Sequence, residues 1–199
     1  MSNLPSKIYL IDANEDLISA WQESFSEWES IEVFHGDFFS IPADAMVSPA
    51  NSFGYMDGGL DLAIRYELGD IVEERAQGAI LNNHHGELPV GVAEIIETDN
   101  KKWPFLICAP TMRIPTNISE TLSAYLAFRA ILLEIVKFNK LNGPRINSIV
   151  CPGLGTGIGR MPPKRCAEQM RMAYFHVSNP AKIPGANEAR STEIKLRNA

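Results

Sequence analysis

Apolar positions along this chain switch between two periods. "KIYLID" (7–12) is a short, largely apolar run that reads as a strand, and "EDLISAWQESFSEW" (15–28) places Leu17, Trp21 and Phe25 at i, i+4 and i+8, the stripe of an amphipathic helix. "IEVFHGD" (31–37) and "AMVSPAN" (45–51) are two further strands, with Phe38 to Pro42 between them. A glycine-bearing loop through Gly54, Gly58 and Gly59 then leads to Leu60, Ala63, Ile64 and Leu68, again at helical spacing, in a helix extending to about Gln77. "VGVAEIIET" (90–98) and "FLICAP" (105–110) read as strands joined by the turn-rich "DNKKWP". The longest helical pattern, "SETLSAYLAFRAILLEIVKFN" (119–139), has Ser119 or Thr121 as N-cap and stops at Gly143–Pro144. "INSIVCPG" (146–153) is a sixth strand, "LGTGIGRM" follows it, and Pro162–Pro163 open a last helix through "KRCAEQMRMAYFHV".

Strands alternating with helices imply an α/β protein, a three-layer α/β/α arrangement with helices on both faces of a sheet of about six strands. The pattern contains no internal repeat and gives one domain over residues 1–178, with the strand and helix within 7–30 as an N-terminal addition. The segment 179–199 is polar, with few large apolar residues, and reads as a flexible C-terminal tail.

Composition narrows the partners. A net charge of −6 argues against bulk nucleic-acid binding, which rewards clustered Lys and Arg. No apolar run approaches the roughly 20 residues that span a bilayer. "MSNLPSKIYLID" lacks a basic segment followed by a long apolar one, so no secretory signal is expected. The odd count of cysteines, Cys108, Cys151 and Cys166, without Cys-x-x-Cys spacing, suits free thiols in a reducing cytoplasm. His84 and His85 are adjacent, with no further ligand at zinc spacing, so no metal is expected.

Two strand-to-helix loops carry candidate chemistry, because ligands of open α/β sheets bind beyond the carboxyl ends of strands. One runs from Asn51 to Asp61, the other is "CPGLGTGIGR" (151–160). Glycines let the backbone approach a ligand so that successive N–H groups point at one anion, and the following helix adds its positive end. A phosphate or diphosphate is the implied ligand. The loop is neither a dinucleotide fingerprint, since Ile158 and Arg160 occupy the required third positions, nor a Walker A loop, since no Lys-Ser/Thr follows.

Together the loops resemble those of macrodomains, which bind ADP-ribose. "GDFFSIPADAMVSPANS" resembles the family's opening, a Gly-Asp pair leading to Asn-Ala-Ala-Asn, with Ser48 and Pro49 standing for the first Asn and Ala. "MDGGLD" is similar to the glycine run and Val-Asp of the MacroD-type hydrolases, with the same ten-residue step from Asn51 to Asp61. "FLICAPT" and "CPGLGTGIGRMP" resemble the intervening strand and the second, phosphate-binding loop. The resemblance covers roughly residues 31–177 and implies a mixed central sheet.

It also implies roles. Asp37 accepts from the adenine amino group, Asn51 holds the distal ribose, and Gly58 and Gly59 pack beside ribose and diphosphate. Gly153 and the backbone of Gly155, Thr156, Gly157 and Ile158 hold the diphosphate, and Phe53 stacks on adenine or lines the ribose. Asp61 orients or activates the attacking water, making Asn51 and Asp61 the catalytic pair. Plainer readings stand beside these: Asp61 offsets the helix dipole, worth about 0.3–1 kcal/mol, Asn51 forms a turn, and Asp37 caps one. Three functions follow: hydrolysis of mono-ADP-ribose from a protein, nucleic acid or small acceptor; a non-catalytic ADP-ribose reader; and a phosphatase acting on ADP-ribose 1″-phosphate. Nucleic acid enters only as an ADP-ribosylated substrate, and no cofactor or membrane is called for.

Overall fold

A computed structural model of the chain describes residues 4–199; residues 1–3 of the expected domain lie outside the described residues. Six strands form one sheet: β1 (Lys7–Asp12), β2 (Ile31–His35), β3 (Ala45–Ser48), β4 (Glu94–Glu97), β5 (Phe105–Cys108) and β6 (Ser148–Cys151). Their order is β2-β1-β6-β3-β5-β4, and every neighbouring pair is parallel except β4 against β5. The helices are α1 (Glu15–Phe25), α2 (Gly59–Leu68), α3 (Ile71–His84), α4 (Ser123–Asn142), α5 (Pro163–Ser178) and α6 (Ala186–Asn198).

The sheet is covered on both faces because its strands are apolar on both. In β3, Ala45 and Val47 belong to the cluster packed by α1, α4 and α5, while Met46 points into the other, under α2 and α3. The mixed three-layer fold is therefore as the pattern implies.

Three elements carry features that the sequence pattern does not show. The N-terminal strand lies in the interior of the sheet: β1 pairs with β2 on one side and β6 on the other, and Ile8 and Leu10 are fully buried. The helix expected from Leu60 to Gln77 is two, broken where Gly69 takes φ +92° and closes α2 by donating to the Arg65 carbonyl. The segment expected as a flexible tail contains α6, whose Leu196 is buried. Its carbonyl accepts from Gln169 Nε2, which also donates to the Thr121 carbonyl. One apolar anchor, a shared buried amide, the Lys195–Glu168 ion pair and the Arg197 hydrogen bond to the Glu120 carbonyl hold a helix of mostly polar composition.

α4 begins at Ser123 rather than near Ser119, and Thr121 Oγ1 accepts the Ser123 N–H at 3.2 Å. Among the described residues, no helix is long and apolar enough to cross a membrane.

Candidate functional site

The parallel strands direct their C-terminal ends to one edge, so the turns after β2, β1, β6, β3 and β5 stand there in a row. The first loop leaves β3 through Ser48 and Pro49. Asn51 bridges to Met112, and its side chain folds the loop: Oδ1 accepts the N–H groups of Phe53 at 3.0 Å and Tyr55 at 3.3 Å, and Nδ2 donates to the Tyr55 carbonyl at 2.8 Å. Both acceptor positions and one amide hydrogen are thereby committed, leaving one hydrogen for anything else. Thr111 Oγ1 donates to the Pro49 carbonyl, and Glu73 of α3 accepts from the Met56 N–H and from Arg65, pinning the far side of the loop.

Asp61 lies in the first turn of α2, whose N-cap Gly58 offers no side-chain cap. Its Oδ1 accepts a 2.6 Å hydrogen bond from Ser48 Oγ, a side chain with no exposed surface. Burial pushes the Asp61 carboxyl up to about 6, against the pull of the Ser48 hydroxyl and with a smaller push from the Asp57 charge. A carboxylate with this affinity for protons is matched to accepting one near neutral pH.

The second loop follows β6. Asp12, the last residue of β1, accepts the Gly153 N–H on Oδ2 at 3.2 Å and the Asn14 N–H on Oδ1 at 3.0 Å. Arg160 and Met161 donate back to the carbonyls of Gly157 and Gly155. Between these ties, the backbone N–H groups of residues 154–159 donate to no described residue. Buried Ile118 braces the loop from the β5–α4 connection by donating its N–H to the Gly159 carbonyl at 2.9 Å. A Cβ on Gly155, whose φ is +76°, would meet Ile118 Cδ1 at 2.5 Å. The helix that follows, α5, starts with Pro163 and has no side-chain cap.

Gly58 and Gly157 differ from Gly155. Neither has a left-handed φ, and a Cβ on either would meet nothing within 4 Å. Nothing inside the protein demands glycine at either position; the absent side chains leave open surface on each loop. An anion laid between the loops finds free N–H groups from the second and the uncapped N-terminus of α2 from the first.

The remaining expected residues fall as follows. Asp37, after β2, is exposed and spends one carboxylate oxygen capping the turn Phe38–Ser40 through the Phe39 N–H at 3.1 Å. Phe53 lies after β3 with the Arg113 guanidinium 4.9 Å from its ring centre and Tyr55 at 6.1 Å. From β2 to β3 there are three strand spacings, about 14 Å. Asp37 and Phe53 therefore follow strands that are not neighbours in the sheet, an order the sequence does not display. Thr156 and Ile158 stand on the second loop, Ile158 being exposed, and Gly59 is the first residue of α2. Ser48 and Asp12 carry none of the expected roles, although the sequence does mark Ser48, standing where the family pattern has Asn.

No group of three or more potential metal ligands occurs among the described residues, and His84 pairs with Glu94 at 2.7 Å. All three thiols are buried and free; burial pushes Cys108 and Cys166 up to about 12 and raises Cys151 as well. A cavity of about 350 Å³ lies away from both loops, between α4, α5 and α6, lined by Tyr125, His176 and Lys182 among others.

A mixed six-stranded sheet between helices, with two loops on the adjacent strands β3 and β6, has the architecture of a macrodomain. The Macro domain model matches residues 47–170, more than half of the chain, and the chain belongs to that family. An uncharacterized protein of Aquifex aeolicus is 33% identical over 140 residues, covering 70% of this chain and 78% of its own. One of Aeropyrum pernix is 30% identical over 143 residues, covering 72% and 69%. Among solved structures, the macrodomain of Mycobacterium tuberculosis DarG superposes with a TM-score of 0.60 at 18% identity, over 76% of this chain and 96% of its own. A mutant of the Oceanobacillus iheyensis macrodomain, solved with ADPR, gives 0.57 at 21% identity, over 82% and 89%.

Proposed function

We propose that the two loops bind ADP-ribose and that the protein hydrolyses mono-ADP-ribosyl groups from an acceptor. The observation that carries the ligand is the run of backbone N–H groups over residues 154–159 with no partner among the described residues, set beside the open surface at Gly58 and Gly157. That run suits a diphosphate. Membership of the Macro domain family and the ADPR held by the Oceanobacillus iheyensis macrodomain support the same ligand. Asp37, at the far end of the row, has one carboxylate oxygen free for the adenine amino group.

Hydrolysis rests on Asp61. Cleavage at the anomeric carbon needs a positioned sugar, a water on the open face and an acceptor for its proton. Asp61 is the acceptor, its proton affinity raised by burial into the useful range. Asn51 shapes the loop around the distal ribose and offers its one remaining amide hydrogen, a smaller part than the full donor-and-acceptor role. The acceptor carrying the ADP-ribose is a protein, a nucleic acid or a small molecule. The loop's use of Asn51 favours the second reading, a non-catalytic reader. A phosphatase that works through a thiol nucleophile has little support, since every cysteine is buried with its thiol held protonated.

The test is calorimetric titration with ADP-ribose, AMP, ATP and NAD, followed by turnover on ADP-ribosylated acceptors with the parent protein and Asp61→Ala. Selective ADP-ribose binding with turnover that Asp61→Ala abolishes supports hydrolysis. Binding without turnover on any acceptor leaves the reader. Absence of ADP-ribose binding overturns both.

A further inference from the structure

Ser48 ends β3, and two features fix where it stands. Its carbonyl accepts the Ala109 N–H at 3.0 Å, tying it to the end of β5, and Pro49 follows with a locked φ. The side chain is fully buried, and among the described residues its hydroxyl has one partner, Asp61 Oδ1 at 2.6 Å. That bond runs from the sheet to the first turn of α2, adding a polar tie to the apolar packing of Met46 against α2. The same bond is the carboxylate's only side-chain hydrogen bond among the described residues, so Oδ1 is occupied and Oδ2 is the oxygen left without a partner.

We infer that Ser48 is a positioning residue for Asp61: its hydroxyl holds the carboxylate in one orientation, with Oδ2 turned to the attacking water. This inference rests on the hydrolytic reading above. In the step, Oδ2 takes one proton from water. The hydroxide formed bonds to the anomeric carbon as the bond to the acceptor breaks with its electron pair, and the proton taken by Oδ2 passes through solvent to the departing acceptor, which restores the carboxylate. Ser48 touches neither water nor sugar and acts only through Asp61. A hydroxyl that donates to the carboxylate favours its charged form, opposing the effect of burial. The other groups acting on the site are Asp57 on the loop, whose charge adds to the push, and the buried Cys108 thiol at the end of β5, which is uncharged at neutral pH. Arg65, one turn along α2, is turned to Glu73 and Asp70 and does not neutralise Asp61.

The experiment compares the parent with Ser48→Ala and Ser48→Thr, reading the pH profile of kcat, the affinity for ADP-ribose, and the titration of the Asp61 carboxyl by carbon NMR. Ser48→Ala is expected to lower kcat at least tenfold, to leave ADP-ribose affinity within about twofold, and to move the acidic limb of the profile upward by about one unit. Ser48→Thr, which keeps the hydroxyl, is expected to restore the parent profile. Superposable profiles and an unchanged Asp61 midpoint in Ser48→Ala overturn the inference. If the parent binds ADP-ribose but turns over no acceptor, the hydrolytic reading fails on its own. The carboxyl titration then still decides whether Ser48 governs Asp61.

Discussion

The carboxylate of Asp12 accepts the backbone N–H of Gly153, 141 positions later in the chain. β1 thereby sets the entry of the glycine loop whose N–H groups over 154–159 have no partner among the described residues, and it places a negative charge at the edge of a loop suited to an anion. Structural support and electrostatic opposition come from the same side chain, and two substitutions separate them. Asp12→Asn keeps an acceptor oxygen and loses the charge, so ADP-ribose affinity should rise several-fold, on the order of 1 kcal/mol. Asp12→Ala loses the tie as well and should bind more weakly than Asp12→Asn. Calorimetry on the pair at two salt concentrations checks this, since only the charge effect is screened.

Gly155 is a loop position with little room for change and a left-handed φ. Its φ of +76° and the 2.5 Å approach of Ile118 Cδ1 to a hypothetical Cβ mean that Gly155→Val must displace the β5–α4 connection or the loop. The substitution should cost about 2–4 kcal/mol of stability and abolish ADP-ribose binding. Gly157→Ala, with open space around it, should leave the melting temperature unchanged and weaken binding alone. Thermal melts with and without ADP-ribose distinguish the two outcomes.

Asp61 gives stability a definite slope with pH. Its carboxyl holds its proton up to about 6 in the folded chain and only to about 4 unfolded, so between these values the folded state binds more protons. Its contribution is therefore neutral below about pH 4 and increasingly unfavourable as pH rises through about 6, to roughly 2–3 kcal/mol. Asp61→Asn removes the proton exchange. Urea melts at pH 4 and pH 7 should show the variant gaining stability on the parent by this amount as pH rises; a constant difference would contradict it.

Leu196 is the apolar anchor of α6. Leu196→Ala removes about 2–5 kcal/mol of burial from a helix otherwise held by polar ties, from Gln169, Glu168 and the Glu120 carbonyl. The expected result is detachment of α6 rather than global unfolding. Hydrogen exchange should lose protection over 186–198 while the strands keep theirs.

The fold is legible in the sequence where the apolar period is unambiguous. Met46 between Ala45 and Val47, or Leu17, Trp21 and Phe25 at helical spacing, point to one environment each. Misreadings arise where a distant contact decides. Nothing local in "KIYLID" says that its partners are residues 31–35 and 148–151, so its interior place in the sheet cannot be read from it. α6 buries Leu196 alone, its Ile194 being exposed, and one buried leucine is no pattern. Gly69 is visible as a residue but not as a stop, since a helix tolerates a glycine unless the chain needs to turn. At the site, residue types announce the loops, whereas Ser48 against Asp61, Asn51 folded onto its own loop, and the separation of Asp37 from Phe53 exist only once the strands are ordered.

The place of β1 also sets when the site can exist. The strand is made first, yet one of its two partners, β6, arrives some 140 residues later, and the loop that Asp12 ties lies directly beyond it. A ribosome-bound chain that stops short of β6 holds Asn51, Asp61 and the first loop but no second loop, and its sheet is split between β1 and β3 with two strand edges unpaired. Such a nascent chain lacks the unpartnered N–H groups of residues 154–159 on which the proposed diphosphate site depends. Closure of the sheet by β6 is at once the long-range step that slows folding and the step that creates the binding site.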